Sequence, residues 1–82
     1  MIFTVHITIM PLTELLDPQG KAVHESLGKL GLGSIQDVRI GKQVDLKVEA
    51  TSKEEAMRIA DEACKKMLYN AVMEQYHITT VE

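Results

Sequence analysis

Two short motifs carry the polar residue types that stand out in this sequence. The first, Leu16–Val23, reads LDPQGKAV, and the second, Arg39–Lys42, reads RIGK. Asp17 is placed to cap a helix, and Pro18 suits the first helical position because the N–H that it lacks would have no partner there. Gly20 would then fall in the first turn, where glycine costs on the order of 1 kcal/mol relative to alanine. A helix start does not require this glycine, so we expect another constraint to act on it.

Four other residues could in principle take part in metal or thiol chemistry. His6 and His77 fall on predicted neighbouring strands with Glu49 nearby, and imidazole and carboxylate groups are common zinc ligands. We interpret the two histidines as solvated side chains on a polar sheet face and keep the metal site as an alternative. Cys64 lies in the apolar stripe of a predicted helix and is interpreted as a small buried hydrophobe. No nucleophile and base are spaced for catalysis, so we predict no catalytic, cofactor-binding or metal-binding residue.

Composition narrows the class of protein. The 82 residues include 9 Lys and Arg against 12 Asp and Glu, and the net charge of −3 argues against nucleic-acid binding. A single cysteine excludes an internal disulfide and suits a reducing compartment. No apolar run approaches the ~20 residues that span a bilayer, and the first residues lack the pattern of a signal peptide. We therefore expect a cytoplasmic protein of one domain, residues 1–82, without nucleic-acid or membrane partners.

The predicted elements follow the order β-α-β-β-α-β. Alternation over Phe3–Ile9 predicts a half-buried strand, and Pro18–Leu30 carries a helical apolar stripe. Ile35–Ala50 is interpreted as a hairpin. A capping box at Ser52–Glu55 begins a second helix, whose apolar stripe is predicted to run to Met67. The remaining predicted features are left-handed helix stops at Gly31 and Asn70 and a last strand with Tyr76, Ile78 and Thr80 on one face.

This order predicts an α+β, ferredoxin-like two-layer sandwich, with two helices on one face of a four-stranded antiparallel sheet. The usual strand order of that fold is 4-1-3-2. A connection at Gly41–Gln43 would pair Ile40 with Val44 and keep both on the inner face of the sheet. The opposite face would display polar residues: Thr4, His6, Thr8, Asp45, Lys47, Glu49, His77 and Thr79.

These motifs resemble those of the PurS family, the small subunits of phosphoribosylformylglycinamidine synthase. The family has a short first strand, the helix start found here at Leu16–Val23, and an Arg-x-Gly-Lys hairpin, here Arg39–Lys42. The capping box Ser52–Glu55 and the segment Asn70–Tyr76 also fit, and the resemblance extends over nearly the whole chain. One departure is Ala71, where the family usually has proline, and it loosens the connection to the last strand.

The resemblance implies a non-catalytic subunit of an ATP-dependent ligase. The complete enzyme converts formylglycinamide ribonucleotide, ATP and glutamine into formylglycinamidine ribonucleotide, glutamate, ADP and phosphate. A ligase subunit of the PurL type uses ATP and Mg, and a glutaminase subunit of the PurQ type releases ammonia. The small subunit bridges the two and supports ammonia transfer, and it is expected to bind no cofactor itself.

The resemblance also gives the two motifs a role as a docking surface. It explains Gly20, because a residue without a side chain lets the backbone of a partner come close. We expect a homodimer or a dimer of dimers, since a domain of this size has a thin core and an open sheet has unpaired edges. The alternative is an ACT-like regulatory domain that binds a small ligand at a subunit interface. The candidate docking residues are Asp17, Pro18, Gln19, Gly20, Lys21, Arg39, Gly41 and Lys42.

Overall fold

The computed structural model describes all 82 residues, which form three strands and two α-helices. β1 lies in the middle of one antiparallel sheet, between β2 and β3. The elements are β1 (Ile2–Pro11), α1 (Pro18–Lys29), β2 (Lys42–Glu49), α2 (Lys53–Ala63), a π-helical turn (Cys64–Leu68) that continues α2, and β3 (Glu74–Val81).

The predicted four-stranded sheet is wrong, because the Ile35–Ala50 hairpin does not form. Residues 35–41 have no regular secondary structure, and Val44 pairs with Ile7 of β1 instead of Ile40. The strand order is therefore β2-β1-β3 and not 4-1-3-2. The backbone of residues 35–41 finds its partners outside a sheet: the N–H of Ile40, for example, donates to the Asp17 carboxylate at 2.8 Å. Such tertiary contacts override the strand propensity of this segment.

The core lies between the sheet and α2. The alternation predicted for Phe3–Ile9 is confirmed, since every second side chain of this strand is buried. α2 contributes Ala56, Ala60 and Cys64, spaced four residues apart on one helix face, and their small side chains let the helix lie close to the sheet. The nine core residues are Phe3, Val5, Ile7, Ile9, Val48, Ala50, Ala56, Ala60 and Cys64.

α2 begins as predicted and then widens. Ser52 caps it by accepting a hydrogen bond from the N–H of Glu55 at 3.2 Å. The Glu55 carboxylate accepts from the Thr51 hydroxyl at 2.9 Å and so adds a second contact at the helix start. After Ala63 the helix continues as the π-helical turn, whose extra residue per turn rotates the side chains that follow. Met67, which was expected in the apolar stripe, is consequently 86% exposed.

Asn70 ends this helical segment without a left-handed residue. No non-glycine residue has a positive φ, so the predicted left-handed stop at Asn70 is wrong. The side-chain oxygen of Asn70 accepts from the N–H of Val72 at 3.0 Å, and the backbone carbonyl of Asn70 accepts from the N–H of Glu74 at 2.7 Å. An Asx turn that contains Ala71 therefore directs the chain into β3.

β3 contains a bulge at Thr79. The register on β1 shifts between His6 and Ile7, which leaves Thr79 without an opposite residue. The Thr79 hydroxyl donates to the His6 carbonyl at 3.1 Å. The extra residue resets the alternation, so that Val81 packs against the core and Thr80 is exposed. The predicted inner position of Thr80 is therefore wrong.

α1 lies apart from the core. It ends as predicted at Gly31, whose φ is 87°. Gly20 is its only buried residue, and Leu30, at the end of its apolar stripe, is 75% exposed. The radius of gyration is 16.1 Å, against about 12 Å for a compact domain of this length. The expectation of two helices packed on one sheet face is wrong, since α2 alone contributes helical residues to the core.

Candidate partner interface

Asp17 connects the two sequence motifs to each other. One carboxylate oxygen, Oδ1, accepts from the N–H of Gly20 at 3.0 Å and caps α1, as predicted. The other, Oδ2, accepts from the N–H of Ile40 at 2.8 Å, within the second motif. These hydrogen bonds, with that from Gly20 foremost, lower the pKa of Asp17 below its ordinary value of 3.8. The motifs are distant in sequence and adjacent in the fold.

Gly20 packs against the backbone of its own chain. A Cβ at this position would clash with the carbonyl oxygen of Val38 and with the Asp17 carboxylate. The constraint noted in the sequence is therefore real. Val38 of the same chain accounts for this constraint, so the backbone of a partner is not needed to explain it.

The second motif is held against β1 and β3 in the same manner. A Cβ on Gly41 would clash with the carbonyl oxygen of Ile9, so this glycine also permits a close backbone approach. The Arg39 guanidinium donates to the Pro11 carbonyl at the end of β1. Lys42 lies 3.7 Å from a carboxylate oxygen of Glu74. These residues position the surface as well as forming part of it.

The candidate docking residues come together around two adjoining clefts. Pro18, Gln19, Gly41 and Lys42 border a cleft of about 380 Å³. Lys21 and Arg39 border a second cleft of about 240 Å³, and Asp17 lines both. Gly20 lines neither of them, which agrees with its role inside the chain. Pro18, Gln19 and Lys21 are exposed and make no side-chain hydrogen bond or ion pair within the chain.

Sequence reasoning missed an apolar part of this surface. A third cleft of about 220 Å³ lies between the loop before α1 and the turn before β3, which are joined by a hydrogen bond from the Leu12 N–H to the Met73 carbonyl at 2.9 Å. A signal was available in Leu16, which precedes the cap and is 74% exposed. A residue before the N-cap often packs against an apolar side chain at the fourth position of the helix. That position is Lys21 here, so no apolar side chain of the helix covers Leu16. The exposed apolar side chains here are Leu15, Leu16, Val72 and Met73. We call residues 12–19, 21, 39–42 and 70–74 together the loop end.

His6 and His77 are not paired with each other in the sheet. His6 lies opposite Asp45, His77 lies opposite Thr8, and Glu49 lies opposite Ile2 at the far end of β2. No group of three or more His, Cys, Asp or Glu side chains is close enough to share a metal ion.

The thiol of Cys64 is fully buried against the sheet. Burial raises its pKa, with a smaller contribution from the charge of Asp61. The interpretation of Cys64 as a small hydrophobe is confirmed.

None of the helices is long and apolar enough to cross a membrane.

A helix that stands off the core and an exposed apolar end are typical of an assembly subunit, whose open surfaces other chains cover. Residues 4–82 match the family model described as PurS, phosphoribosylformylglycinamidine (FGAM) synthase. The chain therefore belongs to the PurS family of FGAM synthase subunits, which act in purine biosynthesis.

The likeness extends over the whole chain in sequence and in fold. The PurS subunit of phosphoribosylformylglycinamidine synthase from Synechocystis is 38% identical over 80 residues, which are 95% of this chain and 78% of that protein. Bacillus subtilis PurS superposes with a TM-score of 0.84 at 35% identity over 98% of both chains. A chain of the PurLQS structure from Thermotoga maritima has a TM-score of 0.88 at 30% identity, covering 100% of this chain and 96% of that one.

Proposed function

We propose that this chain is the small, non-catalytic subunit that joins the ligase and glutaminase subunits of FGAM synthase and supports ammonia transfer between them. The observation that carries the proposal is the match of the entire chain to one chain of the Thermotoga PurLQS structure. ATP and Mg are used by the ligase subunit, and this chain binds no cofactor. The protein is localised in the cytoplasm, in agreement with its single free cysteine and with its membership of the PurS family.

The loop end is the docking surface for the larger subunits. It combines four exposed apolar side chains with Gln19 and Lys21, whose side chains the fold itself does not use. Such a combination of apolar anchors and a polar rim is typical of protein–protein interfaces. Asp17, Gly20, Arg39 and Gly41 contribute by holding the loops in place.

A charge reversal tests the docking role. Lys21→Glu should leave the fold intact and reduce glutamine-dependent synthase activity of the reconstituted complex by about tenfold, because a rim charge meets the partner. Activity with ammonium salts in place of glutamine should be unchanged, since the ligase subunit then needs no delivery. Lys53→Glu, at the exposed start of α2, is the matched control. Equal glutamine-dependent activity of the two variants would contradict the assignment.

Thermal unfolding of the isolated chain distinguishes the bridging role from the ACT-like alternative. A regulatory domain would show an increase in Tm of the isolated chain with an amino acid or nucleotide, whereas a bridging subunit should show none. Co-purification with the larger subunits in the presence of ATP and glutamine is the result that the bridging role requires.

A further inference from the structure

His6 lies between two carboxylates on the polar face of the sheet. Its Nδ1 is 2.7 Å from Asp45 Oδ1, and its Nε2 is 3.4 Å from Glu82 Oε2. Asp45 is directly opposite on β2, and Glu82 follows β3. A neutral imidazole has one N–H, so it would donate to one carboxylate and turn a lone pair toward the other. Only the imidazolium can donate to both carboxylates, so protonation of the ring strengthens both contacts.

The same residues lie next to the bulge in β3, where the register on β1 shifts. Beyond the bulge, the N–H of Thr4 donates to the Glu82 carbonyl at 2.9 Å, and the Thr4 carbonyl accepts from the N–H of Glu82 at 2.8 Å. A slip of one residue would carry Val81 out of the core, since side chains alternate between the faces of a strand. The ion pair of Glu82 with His6 is a contact that opposes such a slip.

We propose that His6 is a proton-dependent clamp, which as an imidazolium joins Asp45 to Glu82 and holds the end of β3 in its bulged register on β1. When the ring loses its proton, its ion pair with Glu82 is lost, and the end of β3 opens more often. The clamp is a conformational device of the chain itself and does not depend on the docking role of the loop end.

The surrounding charges favour the protonated ring. β2 presents Asp45, Lys47 and Glu49 on this face, β3 presents His77, and Glu82 follows it, while α2 covers the other face. The cations here are Lys47 and the N-terminal ammonium, which lies 3.6 Å from Glu49, so Asp45 and Glu82 are the carboxylates that remain for His6. Asp45 is itself fixed by a hydrogen bond from the Gln43 amide at 3.0 Å.

The direction of the pH effect follows from these contacts. The hydrogen bond with Asp45, and next that with Glu82, raises the pKa of His6 above its ordinary value of 6.5. A pKa that is higher in the folded than in the open state means that the clamp acts fully below pH 6.5. Its contribution is lost as the pH rises through the folded-state pKa of His6.

NMR titration of the isolated chain tests the electrostatic part. The pKa of His6 should lie above its ordinary value of 6.5. Asp45→Asn and Glu82→Gln should each lower the pKa of His6, because each removes one of its carboxylate partners. A wild-type pKa of His6 at or below 6.5, or no decrease in either variant, would overturn the proposal.

Hydrogen exchange at the Glu82 amide tests the conformational part. After correction for the intrinsic pH dependence, protection should fall by about tenfold for each pH unit by which the pKa of His6 is raised, as the solution passes from about pH 6 to pH 9. His6→Gln should show low protection at every pH, and the control His77→Gln should follow the wild-type profile. Wild-type protection that does not depend on pH, or His6→Gln protection equal to that of wild type, would refute the clamp.

Discussion

At the scale of single residues, Gly20 and Asp17 hold the return segment of residues 35–41 against the start of α1. Gly20 lets the Val38 carbonyl come close, and Asp17 accepts hydrogen bonds from both sides of the junction. Neither residue offers chemistry to a substrate. They place Lys21 and Arg39 at the loop end.

The glycines of α1 provide a matched pair of variants. Gly20→Ala should destabilise the chain by about 1–3 kcal/mol, because the new methyl group has no space beside Val38 and a backbone carbonyl cannot give way cheaply. Gly28→Ala, in the same helix, has open space and should stabilise it by about 0.5–1 kcal/mol. Urea unfolding of both variants measures the difference. A stabilising effect of Gly20→Ala would show that the Val38 contact does not exist.

The hydrogen bonds of Asp17 should make the stability of the chain depend on pH in the acidic range. Since its pKa is lower in the folded than in the unfolded chain, its contribution is present above pH 3.8 and is lost as the pH falls through the lowered value. Asp17→Ala should therefore have a lower Tm than wild type at pH 6, and the gap should narrow on acidification below pH 3.8. Thermal unfolding followed by circular dichroism gives both curves, and a constant gap would be inconsistent with the Asp17 hydrogen bonds.

At the scale of elements, α2 is the helix that makes the core, and it does so through small side chains. Ala56 and Ala60 are fully buried, and Tyr76 of β3 donates a hydrogen bond to Asp61 on the same helix. That hydrogen bond raises the pKa of Tyr76 to about 12. The helix is thus fixed to the sheet by close packing and by one polar contact at its edge.

Enlarging the buried face of α2 should be costly. Ala60→Leu adds three carbon atoms where the sheet leaves no space, so we expect a loss of about 1–3 kcal/mol or more. Arg58→Leu introduces the same side chain at an exposed position of α2 and should be within about 0.5 kcal/mol of wild type. Equal unfolding free energies of the two variants would contradict the packing described here.

Local sequence patterns correctly predicted those elements whose formation depends on residues within the element or next to it. The alternation of β1, the cap at Ser52 and the glycine stop at Gly31 follow from local rules, and all three are present. The predicted fourth strand does not form because Ile40 and Arg39 bond instead to the cap of α1 and to the end of β1. Those partners are tertiary contacts, which no local pattern encodes.

The candidate site was predictable to a similar extent. The two motifs predicted a surface at one end of the molecule, because their polar residues exceed what a helix start needs, and the fold brings them together there. The apolar half of the surface was missed, since Leu16 and Met73 look like ordinary core residues until the fold leaves them exposed. The bulge at Thr79 was missed for the same reason as the fourth strand: it is fixed by its neighbour on β1.

At the scale of the whole molecule, the chain is extended, 51 by 25 by 13 Å, with α1 away from the core. The apolar stripe of α1 is uncovered in a single copy, with Val23 and Leu30 exposed. The outer edges of β2 and β3 are also unpaired. These surfaces support the proposed homodimer or dimer of dimers, which would cover them.

Sedimentation velocity tests the proposed self-association. The wild-type chain should sediment as a dimer or tetramer at micromolar concentration, and Val23→Asp should shift it toward the monomer, because a charge then replaces an apolar contact. Glu25→Ala, at an exposed position of α1 outside the stripe, should keep the wild-type state. A monomeric wild-type chain would count against any assembly through α1.

The most direct test of the docking surface is binding of the ligase and glutaminase subunits to a chain altered at Leu16. With ATP and glutamine present, native mass spectrometry should show the complete complex for wild type and for Met57→Asp, which alters an exposed apolar side chain on α2 outside the loop end. Leu16→Asp should fold normally and weaken the complex by at least about tenfold in Kd, because it places a charge in the apolar centre of the interface. A complex of Leu16→Asp as stable as that of wild type would contradict docking through the loop end.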